Sequence, residues 1–383
     1  MRTIGVVTAA RSDYGSYLPI LKKIKKDPNL RLYLMVSGMH LSPGFGSTYK
    51  AIERDGFRIN AKVKMLLPGD EPEGISQSMG RGVIGFAKSF ARFKPDILLV
   101  LGDRFEMFAA ALAALPFKIP IAHIHGGELT QGAMDDALRH SLTKLSHLHF
   151  VSTKEYARRV IHLGEEPWRV TISGAPSLDN LHLIKLLSAG DLKKKYGLSF
   201  TSPPLLVTFH PVTFEYEKTE KYVTEILRVL AELKLPVVFT APNADTHNQI
   251  ITLRLKQFIK KYSWANFIEN FGTQDYFSLM AIARAMVGNS SSGIVESPSF
   301  KLPVVDIGTR QKGRVCARNV VHVGYFRKEI LRGVKKAISP DFRKSLLNLE
   351  NPYGDKHAAE KILNKLKKIK IDNYLIEKGF YEK

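Results

Sequence analysis

Acid–base side chains are concentrated in one stretch of the first half of the chain. Residues 122–128 read AHIHGGE and residues 135–140 read DDALRH, so histidines and carboxylates surround two glycines. Glycines after a strand let the backbone approach a ligand closely, and imidazole and carboxyl groups gathered there suit general acid–base catalysis. The spacing matches neither HExxH nor another common zinc pattern, so we expect no metal. Asp135 and Arg139, spaced i, i+4, are also compatible with a plain intrahelical contact.

A second group of charged residues precedes this segment in the sequence. The apolar run 97–101 stops at Gly102 and opens into Asp103, Arg104 and Glu106. An ordinary explanation is that Asp103 caps the following helix while Arg104 pairs with Glu106 or with solvent. Because a cap does not require three charged residues at the end of a buried strand, we favour a functional role for this set.

Small residues and cations at other strand ends are suited to anion binding, although the segment around Arg11 is equally compatible with an ordinary turn that exposes the arginine. Arg11 follows the small residues at the end of the first strand, and residues 288–293 read GNSSSG before a helical pattern. Free backbone N–H groups at a helix start bind phosphate, and the cations of 308–314 (GTRQKGR) could face a diphosphate. The chain lacks the Gly-Lys-Ser/Thr of a Walker loop and the GxGxxG of NAD-binding proteins. Nothing therefore supports ATP hydrolysis or NAD.

Two polar segments follow strands in the second half. His210 stands in FHPVT, and Asn243 and Asp245 stand in APNAD. A lone histidine at a strand end is usually buried and hydrogen-bonded, but we expect this one to lie opposite the acidic cluster of the first half. Asn243 and Asp245 are suited to contacts with sugar or ribose hydroxyls.

Short apolar runs alternate with helical patterns along the chain, which is typical of βαβ units and parallel sheets. Runs rich in Val, Ile and Leu indicate strands buried on both faces. The predicted strands are 4–8, 30–36, 97–101, 119–124, 149–151, 170–172, 205–209, 237–240, 267–268, 285–287 and 304–306. The predicted helices include 104–115, 135–144, 219–233, 247–261, 275–283 and 292–300.

The pattern restarts after the loop-like segment 199–204, so we expect two doubly wound, Rossmann-like α/β domains. The N-terminal domain would cover 1–178 and the C-terminal domain 179–355. Residues 356–383, with a helix near 357–368, would pack back on the first domain. Ligands of such folds bind at the carboxyl ends of strands, so the sequence predicts a ligand cleft between the two domains.

The amino-acid composition limits the kinds of binding partner that the protein can have. The 383 residues carry 57 basic and 36 acidic side chains, a net charge of +21, which would attract nucleic acid, membranes or an anionic substrate. The lysines are scattered and not interleaved with aromatic residues, so we expect no nucleic-acid partner. No run approaches the roughly 18 apolar residues of a membrane helix, and the N-terminus lacks a signal-peptide pattern. With one cysteine, Cys316, no internal disulfide forms. A cytoplasmic location without membrane contact is expected.

The order of the motifs resembles one enzyme family, the hydrolysing UDP-N-acetylglucosamine 2-epimerases. The matching segments are GDRFE at 102–106, HIHGGELTQGAMDDALRH at 123–140, FHPVT at 209–213, GNSSSG at 288–293, GTRQKGR at 308–314 and YGD at 353–355. Each is weak alone, but together they cover nearly the whole chain in the family's order and are highly specific. One departure matters: better-known members have HIEGGE where this chain has His125, while Glu128 is retained.

The resemblance implies a fold of the glycosyltransferase-B type and conversion of UDP-N-acetylglucosamine and water to N-acetylmannosamine and UDP. A base would remove the C2 proton while UDP leaves from C1, and water would add to a 2-acetamidoglucal-like intermediate. No cofactor is required. Family members form dimers or tetramers, so a homo-oligomer is expected.

The candidate site residues fall into two groups. The candidate catalytic residues are Asp103, His125, Glu128, Asp135 and His210. The candidate substrate-binding residues are Arg11, Arg104, Arg139, Asn243, Asp245, Ser290, Ser291, Ser292, Glu296 and Arg314. By the resemblance, the serines and Arg314 would meet the diphosphate, Arg11 would meet phosphate from the other side, and Glu296 would meet the ribose.

Other functions stay open from the sequence. The same reaction could act on UDP-2,4-diacetamido-2,4,6-trideoxyglucose, because the sugar pocket is not readable from the motifs. A non-hydrolysing epimerase would suit the fold, although the HGGE…DDxxRH run resembles the hydrolysing branch. A glycosyltransferase would need an acceptor site. A nucleic-acid-binding protein without catalysis would show strongly salt-dependent binding, and would leave the clustered Asp, Glu and His residues unexplained.

Overall fold

The computed structural model describes residues 1–69, 71–130, 133–242, 248–269 and 271–382. Within these residues the chain forms two compact units, each built on one parallel β-sheet. Unit 1 comprises Met1–Glu128, Asp135–Leu183 and Tyr353–Lys383, and unit 2 comprises Leu129–Met134 and Ile184–Pro352. The predicted α/β class with two parallel-sheet domains is confirmed.

The described part of unit 1 contains a seven-stranded sheet. Its strands are β1 (Arg2–Thr8), β2 (Leu30–Ser37), β3 (Ala61–Val63), β4 (Ile97–Leu101), β5 (Ile121–Ile124), β6 (Leu148–Val151) and β7 (Val170–Ile172). Their order across the sheet is β3-β2-β1-β4-β5-β6-β7, and every pairing is parallel. The order reverses between β1 and β4, and ligands of doubly wound sheets bind outside the carboxyl ends at this reversal.

The described part of unit 2 contains a six-stranded parallel sheet. Its strands are β8 (Leu205–Thr208), β9 (Val237–Thr240), β10 (Ala265–Ile268), β11 (Ala285–Gly288), β12 (Val304–Ile307) and β13 (Val320–Val323). They are ordered β10-β9-β8-β11-β12-β13. The corresponding reversal lies between β8 and β11, which places the residues after these two strands at the expected ligand edge.

Helices flank both sheets. In chain order they are α1 (Arg11–Lys26), α2 (Tyr49–Arg54), α3 (Pro72–Arg92), α4 (Phe105–Ala114), α5 (Met134–Leu145), α6 (Lys154–His162), α7 (Asn180–Leu183), α8 (Ala189–Tyr196), α9 (Thr219–Leu233), α10 (Asn248–Lys261), α11 (Thr273–Ile282), α12 (Ser292–Val295), α13 (Arg327–Ala337), α14 (Pro340–Ser345), α15 (Ala358–Lys368) and α16 (Asn373–Ile376). They bury the central strands: Ile97 to Val100 are 0% exposed. Burying each such side chain contributes about 1.5–3 kcal/mol.

One predicted helix is wrong as a single element. Residues 292–300 form the short α12 and then a separate 3₁₀ helix over Ser297–Phe300. Pro298 stands at the start of the second piece. Because proline has no backbone N–H and its ring clashes with the carbonyl four residues earlier, it does not continue an α-helix.

The last segment of the chain packs on the beginning of unit 1. Helix α15 lies against α1, and the Asp179 carboxylate accepts the backbone N–H groups of Ala358 and Ala359 at 3.0 and 2.8 Å. Further along, the Arg169 guanidinium donates to the carbonyl oxygens of Leu375 and Tyr374 at 2.9 and 3.0 Å. These bonds attach both ends of the segment to unit 1.

Candidate functional site

The loop after β1 is held by a buried carboxylate. Asp13 accepts the backbone N–H groups of Ala9 (3.2 and 3.1 Å) and Ala10 (2.8 Å) and the hydroxyl of Thr8. Burial raises the pKa of Asp13 to about 7, although these hydrogen bonds act in the opposite direction. Arg11 is the first residue of α1. The loop geometry therefore places the predicted phosphate-binding arginine at the reversal of the unit 1 sheet.

His40 was not identified from the sequence, but it supports the same loop. Its Nε2 lies 3.0 Å from the Thr8 hydroxyl and its Nδ1 lies 2.5 Å from the Thr48 hydroxyl. Burial lowers the pKa of His40 to about 3, so the ring is neutral at physiological pH. Thr48 and Arg11 also line an open pocket of about 560 Å³, together with Lys50 and Arg54.

Asp103 and Arg139 form an ion pair between two segments of unit 1. The Arg139 guanidinium, only 2% exposed, donates to the Asp103 carboxylate. The N-cap of α4 is Arg104, without a side-chain cap, so Asp103 does not occupy the cap position that the ordinary explanation gave it. Asp135 lies in the first turn of α5, the helix that carries Arg139. The strand end and α5 together orient Asp103.

Arg104 is held by its own helix. Its Nε and Nη2 donate to the two carboxylate oxygens of Glu106 at 3.1 and 2.8 Å, and Glu106 is fully buried. Such bidentate pairs fix the plane of the guanidinium. The structure therefore shows the Arg104–Glu106 pairing that the sequence suggested, at the end of β4.

The two histidines of AHIHGGE have different surroundings. His123 lies within β5, is fully buried and has its Nε2 2.7 Å from the carbonyl oxygen of Gly102. Burial lowers the pKa of His123 to about 3. His125 follows the strand, and its Nδ1 lies 2.7 Å from Glu128 Oε1 and 3.0 Å from the hydroxyl of Ser152. Of these two histidines, only His125 contacts a carboxylate among the described residues.

Ser152 was missed by sequence reasoning. It follows β6, the strand next to β5, and is 3% exposed. Its position directly after an apolar strand was the available signal, but a single serine in such a place has many ordinary roles.

In unit 2, the side chain of Asn289 holds the backbone of His210 through two hydrogen bonds. The Asn289 Oδ1 accepts the backbone N–H of His210 at 2.7 Å, and its Nδ2 donates to the His210 carbonyl at 2.9 Å. Gly288, at φ +139, precedes Asn289, and a Cβ there would lie 1.8 Å from the carbonyl oxygen of Thr208. Only glycine lets β8 and β11 approach so closely, and this approach brings Asn289 to the predicted catalytic histidine.

Tyr276 joins the predicted serine loop and was not found from the sequence. Burial raises its pKa to about 12, while hydrogen bonds with the hydroxyls of Ser292, Thr208 and Ser290 act in the opposite direction. The Glu296 carboxylate lies close enough to raise the pKa further. A neutral phenol therefore stands among the hydroxyls at the end of β11.

The loop after β11 differs from the expected phosphate site in one respect. Helix α12 is only four residues long, so its dipole is small, and the backbone N–H groups of Gly293 and Ile294 already donate to the carbonyl oxygens of Ser290 and Ser291. The serine hydroxyls are therefore the donors that this loop offers to an anion. Arg314 lies further along the sheet edge, where its Nε donates to the carbonyl of Leu129 at 2.7 Å and its Nη2 to the hydroxyl of Thr130 at 3.3 Å.

Gln311 and Arg310 lie next to the backbone of Asn289. The Gln311 amide donates to the carbonyl oxygen of Asn289 at 2.7 Å, and Arg310 is 7% exposed. Among the described residues, no partner binds Arg310 Nε or Gln311 Oε1. Two predicted substrate contacts, Asn243 and Asp245, lie outside the described residues.

Neither a metal-binding cluster nor a membrane-spanning helix occurs among the described residues. No group of three His, Cys, Asp or Glu side chains there is arranged to hold a metal ion. None of the helices in these residues combines the length and the apolar character needed to cross a membrane.

Comparison with known proteins identifies the family. The family described as UDP-N-acetylglucosamine 2-epimerase matches residues 22–367. A Campylobacter jejuni protein named GDP/UDP-N,N'-diacetylbacillosamine 2-epimerase (hydrolyzing) is 38% identical, over 100% of this chain and 99% of the relative. A UDP-N-acetylglucosamine 2-epimerase of Neisseria meningitidis serogroup B is 33% identical over 88% of each chain.

A solved structure agrees in fold. The UDP-GlcNAc 2-epimerase of Neisseria meningitidis, bound to UDP-GlcNAc, superposes with a TM-score of 0.82 at 20% identity, over 96% of this chain and 100% of that one. The family match and the full-length identity of 38% are decisive. The chain belongs to the UDP-N-acetylglucosamine 2-epimerase family.

Proposed function

We propose that this protein is a hydrolysing 2-epimerase of a UDP-linked 2-acetamido sugar. The observation that supports this most is the acid–base set of unit 1, in which His125 contacts Glu128 and Asp103 contacts Arg139 at neighbouring strand ends. Removing a weakly acidic C2 proton requires a positioned base, and such paired groups at a strand edge can supply one.

The proposed reaction also needs stabilisation of the departing UDP. Ser290, Ser291 and Ser292 would donate to the diphosphate with Arg314, and Glu296 would accept from the ribose. Arg11 would add a second cation. Fixed donors of this kind stabilise the charge that develops as the C1–O bond breaks, and arginine is well suited to phosphate oxygens.

In the proposed sequence, elimination comes first and hydration second. A base takes the C2 proton, the C1–C2 double bond forms and UDP leaves. Water then adds at C1 while a proton returns to C2 on the opposite face. Asp103, Asp135 and His210 are the remaining candidates for proton transfer and for positioning the sugar.

The first candidate substrate is UDP-N,N'-diacetylbacillosamine, which is UDP-2,4-diacetamido-2,4,6-trideoxyglucose. The relative named for this sugar is 38% identical along the whole chain. UDP-N-acetylglucosamine, the leading candidate from the sequence motifs, is the second. It is supported by the family description and by the relative that is 33% identical.

Proton NMR in deuterated water tests the proposal. The protein is incubated with each UDP-sugar in turn, without added metal. Free UDP and a 2-epimerised sugar carrying deuterium at C2 are expected for one of them. Epimerised sugar that stays attached to UDP would overturn hydrolysis, and the absence of any reaction with both sugars would overturn the function. The homo-oligomeric state and the cytoplasmic location stay predictions.

A further inference from the structure

His125, Glu128 and Ser152 form a closed hydrogen-bonded triangle at the ends of β5 and β6. The Nδ1 of His125 lies 2.7 Å from Glu128 Oε1 and 3.0 Å from Ser152 Oγ, and the Ser152 hydroxyl lies 3.3 Å from the same Glu128 oxygen. The His125 and Glu128 side chains are 12% and 4% exposed. Both contacts to the ring therefore use one nitrogen, in a site that largely excludes water.

The backbone of His125 adopts a conformation that is energetically unfavourable for a residue with a side chain. His125 has φ +68, a left-handed conformation that side chains other than glycine rarely adopt. Its N–H donates to the carbonyl of Phe150 at 3.0 Å. Gly127, at φ +77, continues the turn, and a Cβ there would lie 2.6 Å from the carbonyl oxygen of Tyr156. Strained backbone of this kind persists where the surroundings fix it, and it is concentrated at functional sites.

The triangle determines which ring nitrogen can take a proton. A carboxylate at Nδ1 accepts the Nδ1 proton, so the lone pair of the neutral ring is on Nε2. The same carboxylate stabilises the imidazolium that forms when Nε2 is protonated. Among the described residues no hydrogen bond is made at His125 Nε2.

Neighbouring groups are less suited to be this base. The carboxylate of Asp103 binds Arg139, and an arginine partner stabilises the ionised form against proton uptake. His123 has its Nε2 on the carbonyl of Gly102 and lies inside the strand.

We propose that His125 Nε2 is the base that removes the C2 proton in the elimination step, with Glu128 and Ser152 as positioning residues. This assignment rests on the proposed function. The C2–H electron pair forms the C1–C2 double bond, the C1–O pair leaves with UDP, and the proton moves to Nε2. The proton that later enters C2 on the opposite face comes from a different group.

The test separates the two half-reactions in His125→Gln. Elimination is measured as the release of UDP from the UDP-sugar. Hydration is measured separately, as consumption of the free 2-acetamidoglycal of the same sugar supplied together with UDP. The variant should lose elimination by about 10²–10⁴-fold, the usual contribution of a general base, while hydration of the glycal stays close to wild type. His162→Gln, an exposed histidine of the same unit, is the matched control and should keep both.

Two further variants distinguish a base from a structural residue. His125→Glu restores the residue type of the better-known members and should recover much of the elimination rate. Ser152→Ala should lower kcat for elimination with little change in KM, since it acts through the orientation of His125. Equal loss of elimination and hydration in His125→Gln, or elimination at the wild-type rate, would overturn the assignment. UDP release by the wild-type protein tests the proposed function separately, and its absence would overturn both.

Discussion

At the strand ends of unit 1, ionisable side chains meet one another: Asp103 binds Arg139, and His125 binds Glu128. At the corresponding edge of unit 2, around β8 and β11, hydroxyls and amides dominate. Tyr276 contacts the serine hydroxyls there, and Asn289 holds the backbone of His210.

This difference separates two kinds of chemistry. Carboxylate and imidazole groups can accept and donate protons during a reaction, whereas neutral hydroxyls and amides mainly supply hydrogen bonds. Variants at the unit 1 edge should therefore change turnover, and variants at the unit 2 edge should change the affinity for UDP. His210 is the exception, because it brings an imidazole to the unit 2 edge.

The largest effect is expected for Asp103→Asn. The amide keeps an acceptor for Arg139 but loses the negative charge with which Asp103 would position the sugar, so kcat should fall by about 10²-fold or more while UDP affinity changes little. Steady-state kinetics and calorimetric UDP titration measure the two quantities. Asp136→Asn is the control, since that carboxylate lies on α5 near His140. Full turnover in Asp103→Asn would remove Asp103 from the mechanism.

Next in size is the double variant Ser291→Ala with Arg314→Ala. Hydrogen bonds to a charged group contribute about 1.5–3 kcal/mol each, so loss of both should weaken UDP binding by roughly 100-fold or more. The turnover number at saturating substrate should fall less than the affinity. Unchanged affinity would exclude this loop as the diphosphate site.

A smaller effect is expected for Tyr276→Phe. Removing one neutral hydroxyl from the cluster costs about 0.5–1.5 kcal/mol, or roughly two- to tenfold in UDP affinity. Tyr262→Phe is a control in the same unit, because that ring packs on Phe258 and Trp264 away from the serine loop. If Tyr276→Phe lowered turnover but left UDP affinity unchanged, the assignment of UDP binding to the unit 2 edge would be contradicted.

The smallest effect concerns stability and pH. Burial lowers the pKa of His40 and His123 to about 3, so their contribution to the stability of unit 1 is complete above pH 6.5 and is lost as the pH falls toward 3. Asp13, whose pKa is raised to about 7, acts in the opposite direction, but it is one group against two. In unit 2, hydrogen bonds to Asp306 and Cys316 raise the pKa of His322 to about 10. Its contribution is present below pH 6.5 and is lost as the pH rises toward 10.

The two tryptophans report the units separately, because Trp168 lies in unit 1 and Trp264 in unit 2. Fluorescence melting of Trp264→Phe should therefore show a lower unit 1 midpoint at pH 5 than at pH 7. In Trp168→Phe the unit 2 midpoint should fall between pH 7 and pH 9, by less, since His322 is half exposed. If the melting midpoints of the two units changed in the same way with pH, the predicted opposite pH dependences of units 1 and 2 would be wrong.

Elements were predictable where the sequence pattern was unbroken. The run at β4 is uninterrupted Ile, Leu and Val, and its bounds agree with the structure. The strands β3, reading AKV, and β13, reading VVHV, were missed. Both are edge strands, where partial exposure leaves polar residues in place of the apolar run.

Individual site residues were predictable less often than the segments that hold them. Ser152 and Tyr276 contact the site from elements outside the motifs, Ser152 after β6 and Tyr276 on α11, and a sequence does not display such contacts. Asn289 lay inside a recognised motif, but its bonds to His210 depend on the close approach of two strands that are paired only in the folded sheet.

The packing of α15 on α1 also governs the order in which the chain can mature during synthesis. Unit 2 is built almost wholly from one continuous stretch, so it can fold as it leaves the ribosome. Unit 1 must wait, because the helix that covers α1 and the N–H groups that bind Asp179 are translated after all of unit 2. The nascent chain therefore carries the unit 1 sheet with part of its apolar surface uncovered for more than 150 residues of elongation, from Ile184 to Pro352. Chaperone dependence and aggregation during expression are consequently expected to originate in the N-terminal half.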